Sequence, residues 1–243
     1  MDKLLVDRGL AASRERAQAL VLAGKVLINE QKMQKAGSAV DAESEVRLLG
    51  EDLKYVSRGG LKLEHALRFW KIDIANKVCL DVGASTGGFT DCLLQHGAMR
   101  VIAVDTGYGQ VAFKLRKDPR IRLLENTNAR YLTREQLGEP MDFVALDVSF
   151  ISATLVLPAV TRAAFPGQNG ELVVLVKPQF EAGREHVGKG GIVRDSEQQQ
   201  RAVEKVRKAV EELGANFIDV TDSPILGAEG NREFLLYAKF GQQ

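Results

Sequence analysis

LDVGASTGGFTDCLL, residues 80–94, is an apolar run that breaks at Gly83, passes through small residues to the pair Gly87–Gly88, and resumes with helical spacing. A strand, a tight loop and a helix in that order form the first turn of a wound α/β sheet, where ligands sit beyond the carboxyl ends of the strands. Outward from it, the chain after residue 78 alternates short apolar runs with helix-compatible segments. The candidate strands are VCLDV, RVIAVD, IRLLE, FVALDV, ELVVLVK, NFIDVTD and EFLLYAKF. The clearest helix is SEQQQRAVEKVRKAVEELG, with Ser196 as its expected cap and Gly214 as its stop. Such alternation predicts a mostly parallel sheet covered on both faces. The last two strands, joined by a short connection around SPILGAEGNR, are expected to be antiparallel neighbours.

The 243 residues, 45% of them hydrophobic, suit one large domain and one small one. With 33 basic and 32 acidic residues the formal charge is +1, so total charge alone names no polyanionic partner. Its distribution is uneven: residues 1–71 carry +3 and residues 72–243 carry −2. A basic head is a weak pointer to something anionic. Cys79 and Cys92 form no CxxC pair, and His65, His96 and His186 are scattered, so neither a metal site nor a disulfide is expected. No apolar stretch reaches the roughly 18 residues needed to cross a bilayer, and the amino terminus has no apolar export segment. A soluble cytoplasmic protein without a membrane partner is the expectation.

The first forty residues read as two short helices and a strand. MDKLLVDRGL has near-helical spacing, Ser13 caps SRERAQALVLAG, Gly24 ends it, and KVLINE follows as a strand; SAVDAESEVRLL reads as another. Arg8, Arg14, Arg16, Lys25 and Lys35 lie on the polar side. LVDRGLAASRERAQALVLAGKVLIN resembles the S4 RNA-binding domain, with one departure at Glu30, where that family usually has glycine. The resemblance implies cations that grip phosphates and position RNA without reading its sequence. GEDLKYVSRGGLKL, charged and glycine-bearing, is the expected linker-to-helix transition, which places an S4-like RNA-binding domain at 1–50, a linker at 51–58 and the large domain at 59–243.

Three ligands compete for the glycine loop. A triphosphate loop needs Lys and Ser or Thr after its last glycine, but Phe89 follows Gly88. A dinucleotide loop needs G-x-G-x-x-G, which Gly83, Gly87 and Gly88 do not give. A nucleoside ligand without phosphates remains, and S-adenosylmethionine suits it. DVGASTGGF resembles motif I of class I methyltransferases. On that reading Asp81 meets the cofactor's ammonium or a bridging water, and Gly83, Ser85, Gly87, Gly88 and Phe89 form a loop whose glycines let the backbone approach the methionine portion. Asp105, ending VIAVD, accepts from the ribose hydroxyls, and Asn128 in ENTNAR meets the adenine edge.

Lysines at strand ends beside that loop matter, because methyl transfer to a hydroxyl needs alignment and help in removing one proton. VLVKPQF supplies Lys177 at the end of a very apolar strand, ALDVSF supplies Asp147, SRGGLKL supplies Lys62 and GNREF supplies Glu233. The order Lys, Asp, Lys, Glu resembles the catalytic tetrad of FtsJ-like 2′-O-ribose methyltransferases. With YVSRGGLKL, DVGASTGGFTD, LDVSFIS, LVKPQFE and GNREF, nearly the whole chain looks like the TlyA, or haemolysin A, family. The fold class expected is therefore α/β: a Rossmann-like class I methyltransferase with a seven-stranded, mostly parallel sheet, its last strand antiparallel, and a small N-terminal α+β S4-like domain. The resemblance implies S-adenosylmethionine-dependent methylation of a cytidine 2′-hydroxyl in ribosomal RNA, with Lys177 as base or hydroxyl steerer, Asp147 and Lys62 as its electrostatic partners and Glu233 as the outer member. The ribosomal subunit is the implied partner. Length near that of the shorter family members leans the expectation toward large-subunit RNA.

FEAGREHVGKGGIVRD, 180–195, combines glycines with Arg184, Lys189 and Arg194 and is expected to be a mobile loop closing on RNA, which Arg58 also faces. Two readings stand for Phe150, stacking on the target base or packing in the core. The rival functions are a non-catalytic RNA-binding assembly factor, a membrane-lysing protein, and a methyltransferase acting on protein or a small molecule.

Overall fold

The computed structural model describes residues 1–241 except 12, 30, 34, 50–53, 168, 228 and 229, and leaves out the side chain of Arg184. Contacts divide the chain into two units, Met1–Leu53 and Lys54–Gln243.

The first unit contains α1 (Asp2–Asp7), α2 (Arg14–Leu22), β1 (Val26–Ile28), β2 (Gln31–Lys32) and β3 (Val46–Leu48). Ser13 caps α2 as its sequence suggests, its hydroxyl accepting from the Arg16 amide at 3.2 Å. Leu5, Ala17, Leu20, Val21, Val26 and Ile28 close a small core under an antiparallel sheet of order β2-β1-β3. The strand expected over SAVDAESEVRLL shrinks to Val46–Leu48. Upstream, Asp41 turns the chain, its carboxylate accepting from the Glu43 amide at 3.0 Å and its carbonyl from Ser44 at 3.1 Å, and that local bonding competes with a ladder. β2 was not legible beforehand, because its two residues are both exposed and carry no periodicity. The departure at Glu30 lies outside the described residues.

The basic residues of this unit differ in what they touch. Arg8 donates to the carbonyls of Ser44, at 2.7 Å, and Ala42. Arg14 grips Asp2 at 3.0 Å, and hydrogen bonds from Gln18, the Lys3 amide and Arg14 hold that carboxyl down to about 2. Arg16 and Lys25 are half-buried and Lys35 is exposed.

The second unit contains α3 (Gly59–Phe69), β4 (Val78–Val82), α4 (Gly88–Gln95), β5 (Arg100–Val104), α5 (Phe113–Arg116), β6 (Ile121–Leu124), α6 (Arg134–Leu137), β7 (Phe143–Leu146), α7 (Ala153–Ala164), β8 (Gly170–Val176), α8 (Pro178–Glu181), α9 (Ser196–Glu212), β9 (Phe217–Asp222) and β10 (Phe234–Phe240). All seven candidate strands form, in the order β6-β5-β4-β7-β8-β10-β9. Only β10 runs antiparallel to its neighbours. Alternation along each strand feeds two cores: Leu80, Val82, Leu146 and Leu236 pack with α7 and α9, while Cys79, Phe143, Leu235 and Tyr237 pack with α3 and α4. Each fully buried side chain of this size contributes about 1.5–3 kcal/mol, which fixes the register and therefore the residues that emerge at the strand ends. Both cysteines are core residues, and burial pushes each thiol up to about 12. One cap differs: Asp195, not Ser196, caps α9, accepting from the Glu197 amide at 2.9 Å. Its longer carboxylate reaches that amide from one residue earlier.

Candidate active site

The opening loop is shaped by the protein itself. Gly83 has φ +86°, and a Cβ there would lie 2.2 Å from the Asp147 carbonyl oxygen. At Gly88 a Cβ would meet the Ser57 hydroxyl at 2.2 Å and the Gly60 amide at 3.0 Å. Close approach of β7 and of the segment leading into α3 is by itself enough to demand these two glycines, a physical reason the sequence did not suggest. Gly87, at φ +94°, begins α4, and Phe89 is buried against Gly59. Gly83→Ala is expected to destabilise the fold by about 2–4 kcal/mol, since it combines backbone strain with overpacking against a rigid carbonyl. Thermal unfolding checks this; an unchanged melting temperature contradicts it.

Asp81 is fully buried. Its Oδ2 accepts from the Thr90 amide at 2.9 Å and the Thr90 hydroxyl at 2.6 Å, while Oδ1 is buried with no hydrogen-bond partner among the described residues. Burial pushes its pKa up to about 7; the Thr90 bonds oppose this, and the charges of Asp147 and Asp105 add to it. The group lies behind the walls of both cavities described below, tying β4 to the start of α4. A folded-state pKa above the unfolded value near 3.9 means that the native state holds this proton more tightly. That stabilisation is complete below about pH 4 and is lost as pH rises through about 7, on the order of 4 kcal/mol in all. Asp81→Asn should melt higher than wild type at pH 8 and show a flatter pH dependence. Parallel melting curves from pH 5 to 8 would contradict the assignment.

Two cavities open at the carboxyl ends of the strands. One, of about 410 Å³, is lined by Gly83, Ser85, Asp105, Asn128, Asp147 and Phe150 among others. Asp105 follows β5, and its two carboxylate oxygens accept from the Ser85 amide at 2.7 Å and the Gly107 amide at 2.6 Å. Those donors fix the carboxylate's orientation and leave lone pairs facing the cavity. The bond to Asp105 also holds Ser85 at φ +50°, a conformation unusual for serine. Asn128 caps the turn Ala129–Tyr131, its Oδ1 accepting from the Arg130 amide at 3.0 Å, so its amide nitrogen is the end left to face the cavity.

The second cavity, of about 290 Å³, is lined by Arg58, Lys62, Ser85, Gly88, Phe89 and Asp147 among others, and it shares Gly83, Ser85 and Asp147 with the first. The four strand-end charges resolve into two ion pairs. Lys62 on α3 and Glu233, just before β10, meet at 2.5 Å, and both are buried. Gly227 packs so closely on Glu233 that a Cβ there would come within 2.1 Å of its carboxylate. Lys177 stands directly between β8 and α8, at the flank of the helix's first turn, and makes no side-chain capping bond; its ammonium lies 2.5 Å from Asp147 Oδ1 and donates to Ser149 Oγ at 2.7 Å. The contact with Asp147 is an ion contact without hydrogen-bond angles. β7 and β8 are parallel neighbours with Leu146 opposite Val174, so Asp147 and Lys177 leave the sheet at adjoining strand ends. Asp147 is thus the hinge of the arrangement, touching Lys177 and walling both cavities.

The segment expected to be a mobile loop is tied down at Gly191–Val193. Buried Asn231 donates to the Gly191 carbonyl at 2.9 Å and accepts from the Val193 amide at 3.2 Å. Lys189 and Arg194 are exposed, and the side chain of Arg184 lies outside those described. Phe150 is not core: it is 93% exposed at φ +65°, with Phe180 5.4 Å away between ring centroids. Ser57, Thr127, Ser149 and Gly227 join the site without having been singled out. Only Ser149 carried a signal, standing two residues after Asp147.

Two cavities at the carboxyl ends of the strands lie beside two lysine–carboxylate pairs, and the comparisons with known proteins decide the family. The FtsJ-like methyltransferase profile matches residues 55–240. The chain belongs to the FtsJ-like methyltransferase family. The S4 domain profile matches residues 1–46 ahead of the FtsJ-like part. The 16S/23S rRNA (cytidine-2′-O)-methyltransferase TlyA of Mycobacterium tuberculosis is 45% identical over 98% of this chain and 89% of its own. The 23S rRNA (cytidine-2′-O)-methyltransferase TlyA of Campylobacter jejuni is 34% identical over 96% of each chain. A solved structure from Streptococcus thermophilus, provisionally named a hemolysin, has TM-score 0.75 and 43% identity, covering 100% of this chain and 88% of that one. Membership of the FtsJ-like family implies a methyl donor. Among the described residues no helix is long and apolar enough to cross a membrane, and no three His, Cys, Asp or Glu side chains group as metal ligands.

Proposed function

We propose that this protein methylates the 2′-hydroxyl of a cytidine in 23S ribosomal RNA, using S-adenosylmethionine. The observation that carries the reading is Asp147, which joins the Lys177 ammonium to a wall common to two cavities, one for the donor and one for the acceptor. The 23S substrate is the part that the two relatives' names have in common.

The residues fit such a donor. Asp105, held by two backbone amides, suits a ribose diol, Asn128 offers an amide to the adenine edge, and Gly83, Ser85 and Gly88 line the way to the second cavity. Gly87, Phe89 and Asp81 support the loop from behind. When bound, S-adenosylmethionine supplies an electrophilic methyl group on a sulfonium. The chain's own residues then orient the ribose oxygen and assist the departure of its proton. Lys177 faces that oxygen, Asp147 fixes the lysine, and the buried Lys62–Glu233 pair holds α3 and β10 at the rim with its charges matched. Exposed Phe150 stacks on the target base once it leaves its helix, which exposes the ribose to the methyl.

Residues 1–50 act as the RNA-positioning domain through Arg8, Arg14, Arg16, Lys25 and Lys35. Arg8 and Arg14 also hold their own unit together, through the Ser44 carbonyl and Asp2. The catalytic domain begins at Lys54, earlier than the expected linker 51–58 allows, because Tyr55 is buried in its core and the Val56 amide donates to Asp91 at 2.8 Å. Arg58, Arg184 and Lys189 meet the RNA near the catalytic centre. A ribosomal substrate implies a cytoplasmic enzyme. Mapping 2′-O-methylated riboses in ribosomal RNA from cells with and without the gene tests the reading. One 23S cytidine should lose its methyl in the deletion strain; identical methylation maps would refute it.

A further inference from the structure

The acidic balance of residues 72–243 conceals a basic edge. Residues 106–134 hold seven Lys and Arg against two Asp and Glu, a net of +5, which leaves −7 for the rest of 72–243. They include and flank β6, one of the sheet's two edge strands. Both acids are already engaged, Asp118 by Arg120 at 2.7 Å and Glu125 by Arg116. Among the described residues no carboxylate pairs with Lys117, Arg130 or Arg134, all of them exposed.

Two large aromatic residues stand on the same edge. Phe113 is 68% exposed with the Lys117 ammonium 4.1 Å from its ring centroid, and Tyr131 is 68% exposed with the Arg130 guanidinium 5.9 Å from its own. Phe113 leaves the side of the sheet where Leu115 joins the core beneath α4; Tyr131 leaves the other, between core residues Ala129 and Leu132. The patch therefore wraps the edge. It is continuous with the donor cavity, because Asn128 lines that cavity and caps the turn bearing Arg130 and Tyr131.

Exposed rings interleaved with unpaired cations suit a single-stranded polyanion whose bases stack and whose phosphates meet ammonium and guanidinium groups. We propose that this edge is a second RNA-contacting surface. Unpaired nucleotides flanking the target stack on Phe113 and Tyr131, and their phosphates meet Lys117, Arg130 and Arg134. The proposal rests on the reading of the chain as an RNA methyltransferase.

The test uses the full chain and a 23S transcript, with filter binding over a salt series and wild-type methylation measured alongside. Phe113→Ala combined with Tyr131→Ala should raise Kd by at least about fivefold with an unchanged salt slope. Lys117→Glu combined with Arg130→Glu should lower the slope of log K against log salt by about two. Melting temperature and calorimetric affinity for S-adenosylhomocysteine should stay at wild-type values in both. Wild-type affinity and slope in both variants would overturn the proposal. So would affinity lost only for the assembled subunit and not for naked RNA, which would make the partner a protein surface. Absence of methylation by the wild type would instead sink the underlying functional reading.

Discussion

Lys177→Ala is expected to bind methyl donor as wild type does and to transfer the methyl group about 10²–10⁴-fold more slowly. The lysine lies outside the contacts that hold Asp105 and Asn128, so donor affinity, read by calorimetry, should not move. What disappears is the ammonium held by Asp147 at 2.5 Å, which walls both cavities, and by Ser149 at 2.7 Å, which walls the larger one. Losses of that size follow removal of a positioned proton-transfer or orienting group. Lys177→Arg separates the two roles, because a guanidinium keeps its charge and cannot accept a proton. Residual turnover in the Arg variant assigns steering, whereas loss equal to that of the Ala variant assigns base catalysis. Full activity of Lys177→Ala would remove the mechanism.

Glu233→Ala is expected to cost about 3–5 kcal/mol of stability, the largest structural effect in the site. Lys62 and Glu233 are both buried, and removing one partner strands the other's charge away from water. The double variant Lys62→Met, Glu233→Leu removes both charges and should recover most of that stability, since a buried pair and an apolar isostere are nearly equivalent. Turnover should stay low in the double variant, which would separate the pair's part in the reaction from its part in folding. Denaturant unfolding and single-turnover methylation read the two quantities. If the double variant unfolds as readily as the single one, stranded charge is not the cause.

The fold was legible where periodicity was strong. Seven runs of five to eight residues between helical patterns read as strands of a covered sheet, and all seven form in the expected places. Chemistry at the strand ends was legible as well, because a lysine closing a run as apolar as ELVVLV has to emerge somewhere wet. Pairing was not, since nothing in the spacing of Lys62, Asp147, Lys177 and Glu233 tells which cation meets which carboxylate. The glycines show a second limit. Gly83 and Gly88 signal close approach, but the sequence does not say whether a ligand or another strand comes close; here it is the Asp147 carbonyl and Ser57. Asp81 shows a third, as its strand-end position resembles that of a ligand contact while its side chain turns inward to Thr90. In the first unit, β2 and the Asp41 turn escaped because two-residue strands and side-chain-to-backbone turns leave no periodic trace.

Incubating the purified full-length protein with 23S transcript and S-adenosylmethionine labelled in its methyl group, then digesting to nucleosides, tests the central claim most directly. The account predicts label in 2′-O-methylcytidine alone, and its incorporation slowed about 10²–10⁴-fold when Lys177→Ala replaces the wild type. Label on a base or on protein, or equal labelling by the two forms, would contradict it.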